Sequence, residues 1–157
     1  GVRETFKKII TMAKEKGLPY VLILEDDLFV VDAQKVVDSL NDAPDEWDIL
    51  SGGAYHYVEH KDGKCGEHWM KMNDFCSLHF IIIRDTIYDK ILSKRIARSL
   101  HMDRVLGGDV KKGEMTMYVM HPMPCQQRPG FSNLRKRKVN DNVRKTLPWV
   151  KHPDLLK

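Results

Sequence analysis

Three carboxylates stand in a row, Glu25, Asp26 and Asp27, between two apolar runs, VLIL before them and LFVV after them. Adjacent acids repel, and burial raises the cost of each charge. Such a triplet therefore persists only where it is solvated, paired with Lys or Arg, or bound to a cation. Mg²⁺ and Mn²⁺ prefer carboxylate oxygens and would relieve the repulsion. Alternate residues of an extended loop share a face, so Asp27 is the first candidate ligand, Glu25 the second, and Asp26 points elsewhere. A single carboxylate with waters, purely electrostatic positioning, or a plain solvated turn fits the same residues. His121, just before Pro122, offers an imidazole that could complete a metal site, although a His in that place also serves as an ordinary strand end.

The elements that must position these groups read as alternating helices and strands. Val2, Phe6, Ile9, Ile10 and Ala13 repeat on a 3.6-residue period, and Gly17 then Pro19 supply the stop, which predicts a helix over 2–16. YVLIL, 20–24, reads as a parallel strand covered on both faces, and Asp32 as the cap of a helix carrying Val36, Val37 and Leu40. WDILSGG, 47–53, reads as a strand, and AYHYV with EHWMKM as a hairpin turning at KDGKCG. LHFIII, 78–83, reads as a further strand, followed by a helix capped by Asp85 and running through Ile87, Ile91 and Ile96. HMDRVLGGD reads as a short helix or turn, and EMTMYVMHP as a last strand. This order predicts an α/β sandwich around a mixed, mainly parallel sheet. Ligands of such folds bind at the carboxyl edge of the sheet, where the acidic triplet falls.

With 157 residues, 42% hydrophobic and 31% charged, the chain has the size and composition of one globular domain, 1–157, and no apolar run approaches the roughly 20 residues of a membrane span. Cys65, Cys76 and Cys125 are scattered, which argues against a zinc knuckle and favours a reducing, cytoplasmic setting; a Cys76 to Cys125 bridge stays open. The net charge of +4 is local: SNLRKRKVNDNVRK, 132–145, holds six of the 26 Lys and Arg against one acid, Asp141, within a basic C-terminal segment 132–157. Such runs are usually solvated; less often they meet phosphate or nucleic acid.

KGLPYVLILEDDLFV resembles the signature of glycosyltransferase family 25, the family of lipopolysaccharide (LPS) and collagen galactosyltransferases, and the resemblance continues in order through WDILSGGAY, CSLHFIIIRDTIYDKIL, HMDRVL and YVMHPMPCQQRPGFSNL. It implies a GT-A-like α/β/α sandwich, here lacking the first strand that family members carry before the helix at 2–16. It implies transfer of a sugar such as galactose or glucose from a nucleotide sugar, a UDP-sugar, to a glycan or hydroxylated protein acceptor, assisted by Mn²⁺ or Mg²⁺. On this reading Glu25, Asp27 and His121 face the metal, and Asp26 faces the ribose. Gln127 and Ser132 contact the donor, and Arg128 with the run Arg135–Lys138 meets diphosphate oxygens. Inversion requires a base, for which Asp103 is the candidate and Asp109 the reserve; a helix cap or an ion pair with Arg104 or Arg98 is the structural alternative for Asp103. Trp69, Tyr55 and Tyr57 could stack on a sugar, or simply fill the core.

Two other classes compete. A non-catalytic module of the same fold would bind without turnover, and a nucleic-acid-binding protein would use the 132–145 run with steep salt dependence. The acidic loop argues against a uniform polynucleotide footprint, so a phosphate-bearing small ligand is the expected partner of that run.

Overall fold

The computed structural model describes residues 2–96, 100–128, 130–132 and 137–139. Helix α1 (Val2–Glu15) buries Phe6, Ile10 and Ala13. It ends as its sequence dictates: Gly17 takes φ +62, its N–H donates to Lys14 O, and Leu18 N–H donates to Ala13 O, both at 3.0 Å. This is the paired-bond stop that a left-handed glycine permits. Strands β1 (Tyr20–Leu24) and β2 (Leu28–Val30) flank the acidic loop, and α2 (Ala33–Asn41) follows. Asp32 caps α2 by accepting Lys35 N–H at 2.9 Å.

Next come β3 (Ile49–Ser51), β4 (His56–Cys65), β5 (Trp69–Cys76) and β6 (Phe80–Arg84). A 3₁₀ turn, Asp85–Ile87, leads into α3 (Tyr88–Ser93); α4 (Met102–Lys111), β7 (Met117–Met120) and β8 (Cys125–Gln127) complete the main body. Two short strands, β9 (Gly130–Ser132) and β10 (Arg137–Val139), pair with each other.

The six-stranded sheet has the order β1-β6-β3-β7-β5-β4. Helices α1, α3 and α4 cover one face through Phe6, Ile10, Ile91, Leu106 and Val110 against Ile49, Ile81, Ile83, Met117 and Val119. The other face holds Leu50, Trp69, Phe80, Ile82, Met120 and Cys125, with Val36 of α2 and Leu28 of β2 packed on them. The fold is thus a mixed α/β sandwich. The sheet is not mainly parallel, however: β3 with β7 is the parallel pair, and β1–β6, β6–β3, β7–β5 and β5–β4 are all antiparallel. Continuous apolar sequence reports burial on both faces, and β6 has that burial from helices on either side while running against both its neighbours. YVLIL is also an edge strand and not a central one.

Three local expectations differ too. The hairpin reverses at 66–68; KDGKC belongs to β4, where Gly63 at φ +54 lies within a register shift between Glu59 and Lys64. Asp85 makes no side-chain cap, since the chain enters a 3₁₀ turn there, and Ile96 lies beyond α3. Trp69 is fully buried with its indole N–H donating to Ser39 O at 2.8 Å, so it belongs to the core.

Helix α4 approaches β5 through Gly107, where a Cβ would stand 2.4 Å from Phe75 O, whereas a Cβ at Gly108 would meet nothing within 4 Å. Gly107→Ala is therefore expected to lower stability by about 1–3 kcal/mol through overpacking. Gly108→Ala, on the same helix, should raise it by about 0.5–1 kcal/mol. Urea denaturation of the two variants checks both signs.

Candidate functional site

Residues from four separate segments meet at one edge of the sheet, beyond the end of β1. Glu25 leaves β1 with its N–H donated to His79 O (3.2 Å), and Leu28 N–H closes the acidic turn on Glu25 O (3.1 Å). Beside this turn β2 pairs antiparallel with β8, setting Leu28 opposite Gln127. That register places the Gln127 amide over both acids: Nε2 donates to Glu25 Oε2 at 2.8 Å and lies 3.1 Å from each oxygen of Asp27. The Arg128 N–H donates to Asp27 O at 2.7 Å, and the Arg128 guanidinium sits over the Phe29 ring, 5.8 Å from its centroid.

Asp103 enters from α4. It lies in the first turn of the helix, where a negative charge is favoured by the exposed N–H groups. It accepts the Arg104 N–H at 2.8 Å and the Cys76 thiol at 2.8 Å. Burial first, then the bond to Asp103 and its charge, pushes the Cys76 thiol up to about 12, so this cysteine stays a neutral donor at physiological pH. The Arg104 guanidinium turns instead to Asp74 and to Phe75 O. Asp103 is close enough for its charge to act on Glu25. Burial, followed by the charges of Asp27, Asp103 and Asp26, pushes the Glu25 carboxyl up to about 7 against the opposing Gln127 bond.

His79 and Ser77 support this assembly, and neither stood out in the sequence. His79 is buried, with Nε2 3.4 Å from Cys125 O and Nδ1 bonded to Ser77 Oγ. A carbonyl only accepts, so Nε2 carries the proton and Nδ1 accepts from the serine hydroxyl. Burial holds the ring neutral, its pKa down to about 4. Ser77 adopts φ 141, a conformation that side chains rarely take and that costs of order 1–3 kcal/mol. Gly53 completes the close fit: a Cβ there would stand 2.2 Å from Cys125 O and 3.0 Å from His79 Nε2. A lone His in CSLHF reads as core, and backbone strain leaves no mark in composition.

Of the remaining candidates, Asp26 is exposed on the loop. Ser132 falls in β9 with its side chain outside the described residues, as are Arg98, Arg135, Lys136 and the segment 140–157. His121 follows β7, which β6 and β3 separate from β1 in the sheet. Its pKa is lowered by burial first and by Lys64, with Glu59 opposing, and among the described residues it forms no three-group metal cluster with Glu25 and Asp27. Asp109, the reserve base, is a structural residue instead: buried on α4, it is paired with Lys94 Nζ at 2.7 and 2.9 Å. Tyr55 lies edge-on to His79 with centroids 6.1 Å apart, and Tyr57 is half-buried against the main core. Cys65, Cys76 and Cys125 are all free thiols, so Cys76 and Cys125 are not bridged.

Among the described residues no group of three or more His, Cys, Asp or Glu is disposed to hold a metal by itself. Glu25 and Asp27 nevertheless share one amide donor, so their oxygens converge. One or two carboxylates plus phosphate oxygens and waters is an ordinary Mg²⁺ set, and the two residues fit that smaller requirement.

No protein-family model matches the chain, and no curated protein matches it. Among solved structures it is similar to the crystal structure of A197 from STIV, at 19% identity and a TM-score of 0.44, over 76% of this chain and 63% of that one. This chain thus spans less than two thirds of that chain's length.

The raised Glu25 pKa fixes the sign of a pH effect. A carboxyl whose folded pKa lies above its unfolded value contributes stability below the unfolded pKa, near 4.5, and loses it as pH rises through 7. Glu25→Gln is therefore expected to gain stability relative to wild type between pH 5 and pH 8, by about 1–2 kcal/mol after solvent screening. Thermal unfolding of both proteins across that range is the check, and parallel profiles would remove Glu25 from the account.

Proposed function

We propose that the protein is a metal-assisted, nucleotide-sugar-dependent glycosyltransferase of the family 25 type, with its donor site at the Glu25–Asp27 loop. The observation that carries this reading is the gathering of Asp103 and Gln127, about eighty and a hundred residues further along the chain, around Glu25 and Asp27 beyond the end of β1. Carboxylates gathered against their own repulsion favour a cation. Asp27 and Glu25 would hold Mn²⁺ or Mg²⁺, which supplies Lewis-acid stabilisation to a departing diphosphate.

The chain's own groups have separate tasks. Gln127 holds the two carboxylates together through its shared amide. Asp26, exposed at the tip of the loop, is disposed toward the ribose side of a UDP-sugar. Ser132 and Arg128 lie on the segment that leaves β8 and would meet the donor. Asp103 is the proposed general base that takes the proton of the acceptor hydroxyl on a glycan or hydroxylated protein. The Cys76 thiol, a neutral hydrogen-bond donor, holds its carboxylate in orientation. No helix among the described residues is long and apolar enough to cross a membrane, which suits a donor and acceptor that arrive from solution.

Two substitutions separate the roles. Asp27→Asn should abolish Mn²⁺-dependent hydrolysis of a UDP-sugar and the calorimetric binding of UDP that depends on Mn²⁺. Asp103→Asn should leave that binding intact and cut turnover by about 10² to 10⁴ fold, the range for loss of a general base. Unchanged turnover in Asp103→Asn would refute the assigned base, and UDP binding indifferent to both Mn²⁺ and Asp27 would refute the donor site.

A further inference from the structure

Gln127 rides on a ribbon that lies outside the six-stranded sheet, since β2 and β8 form a separate two-stranded sheet. Bonded residues alternate along such an antiparallel pair. Val31 N–H donates to Pro124 O and Arg128 N–H donates to Asp27 O. Cys125 and Gln127 fall out of phase with these bonds and turn their backbone groups away from β2. On that side Cys125 meets the main body: its N–H donates to Gly52 O at 3.1 Å, and its carbonyl lies 3.4 Å from His79 Nε2. An imidazole thus stands where the N–H of a neighbouring strand would be. Cys125 is buried, and a buried carbonyl left without a donor is costly, so the ring fixes how close β8 comes. The carbonyl of the same His79 accepts the Glu25 N–H at 3.2 Å. One residue therefore spans the gap between the strand exit that carries Glu25 and the strand that carries Gln127.

We propose that His79 is a positioning residue for the cation site: its Nε2–H, bonded to Cys125 O, sets the distance of β8 from the end of β1 and so the convergence of Glu25 and Asp27 under the Gln127 amide. The inference rests on the cation site proposed above. Ser77 serves the same end, because its hydroxyl bonds to Nδ1 and leaves the ring proton on Nε2. The ring bonds Ser77 and Cys125 and no carboxylate, so its effect reaches the acids through backbone. Groups that orient a metal's ligands without touching the metal change its affinity by about 10- to 100-fold when they are lost.

Calorimetric titration of Mn²⁺ in the presence of UDP, with the Gln127 side-chain amide signals recorded on the metal-free proteins, tests this. His79→Leu, which has no donor for Cys125 O, should bind Mn²⁺ about 10- to 100-fold more weakly and shift the Gln127 amide signals. His79→Gln, whose amide can donate in place of Nε2, should recover most of the affinity and the wild-type signals. His79→Asn, polar but too short to reach Cys125 O, replaces the leucine variant should that one fail to fold. Mn²⁺ affinity and Gln127 signals unchanged in a folded Leu or Asn variant would overturn the role of His79 alone. Equal losses in the glutamine variant would overturn it too, by showing disturbed packing rather than a lost donor. Wild-type protein that binds no Mn²⁺ would instead remove the cation site, and this role with it.

Discussion

The amide group of Gln127, shared between the carboxylates of Glu25 and Asp27, is the contact on which the site depends. Hydrogen bonds to charged acceptors contribute about 1.5–3 kcal/mol each, enough to hold two acids that would otherwise part. Its placement is set by backbone. Leu28 faces Gln127 because β2 and β8 pair in one register, and β8 lies close to the sheet because Gly53 leaves room for Cys125 O. Change that approach and the amide moves and the acids separate.

A second constraint brings Asp103 to the same edge. Helix α4 sits against β5 where Gly107 allows contact with the Phe75 carbonyl, and Arg104 ties the helix to Asp74 and Phe75. These contacts are remote from the acids, yet they fix where the first turn of α4 points. The strained Ser77 and the neutral His79 occupy the short link between β5 and β6, so the segment that carries Cys76 toward Asp103 also offers His79 O to Glu25. One tight connection thus serves both halves of the site.

Much of this was legible in the residues. The Gly17 stop, the Asp32 cap and the 3.6-residue period of α1 are local signals, and each formed as its chemistry requires. The acidic loop at a strand exit was legible for the same reason. Strand direction was not, because the burial of Phe80 to Ile83 on both faces comes from helices and is the same whichever way β6 runs. The hairpin signal at Asp62–Gly63 marked a register shift, a left-handed glycine serving either purpose. Asp109 carried the right functional group, but its burial and its pairing with Lys94 are tertiary facts. His79 was not singled out in the sequence because nothing local marks it; it is buried, and its role lies in what its ring and carbonyl bridge.

Paramagnetic broadening by Mn²⁺ in the amide spectrum, recorded with UDP present, locates a cation without reference to turnover. The account predicts selective loss of the Glu25 to Leu28, Gln127 and Asp103 signals at low Mn²⁺, while those of Lys111, at the far end of α4, stay sharp. Broadening centred on His68 and His121 instead, or none above that of a surface-bound ion, would contradict a cation site at the shared amide.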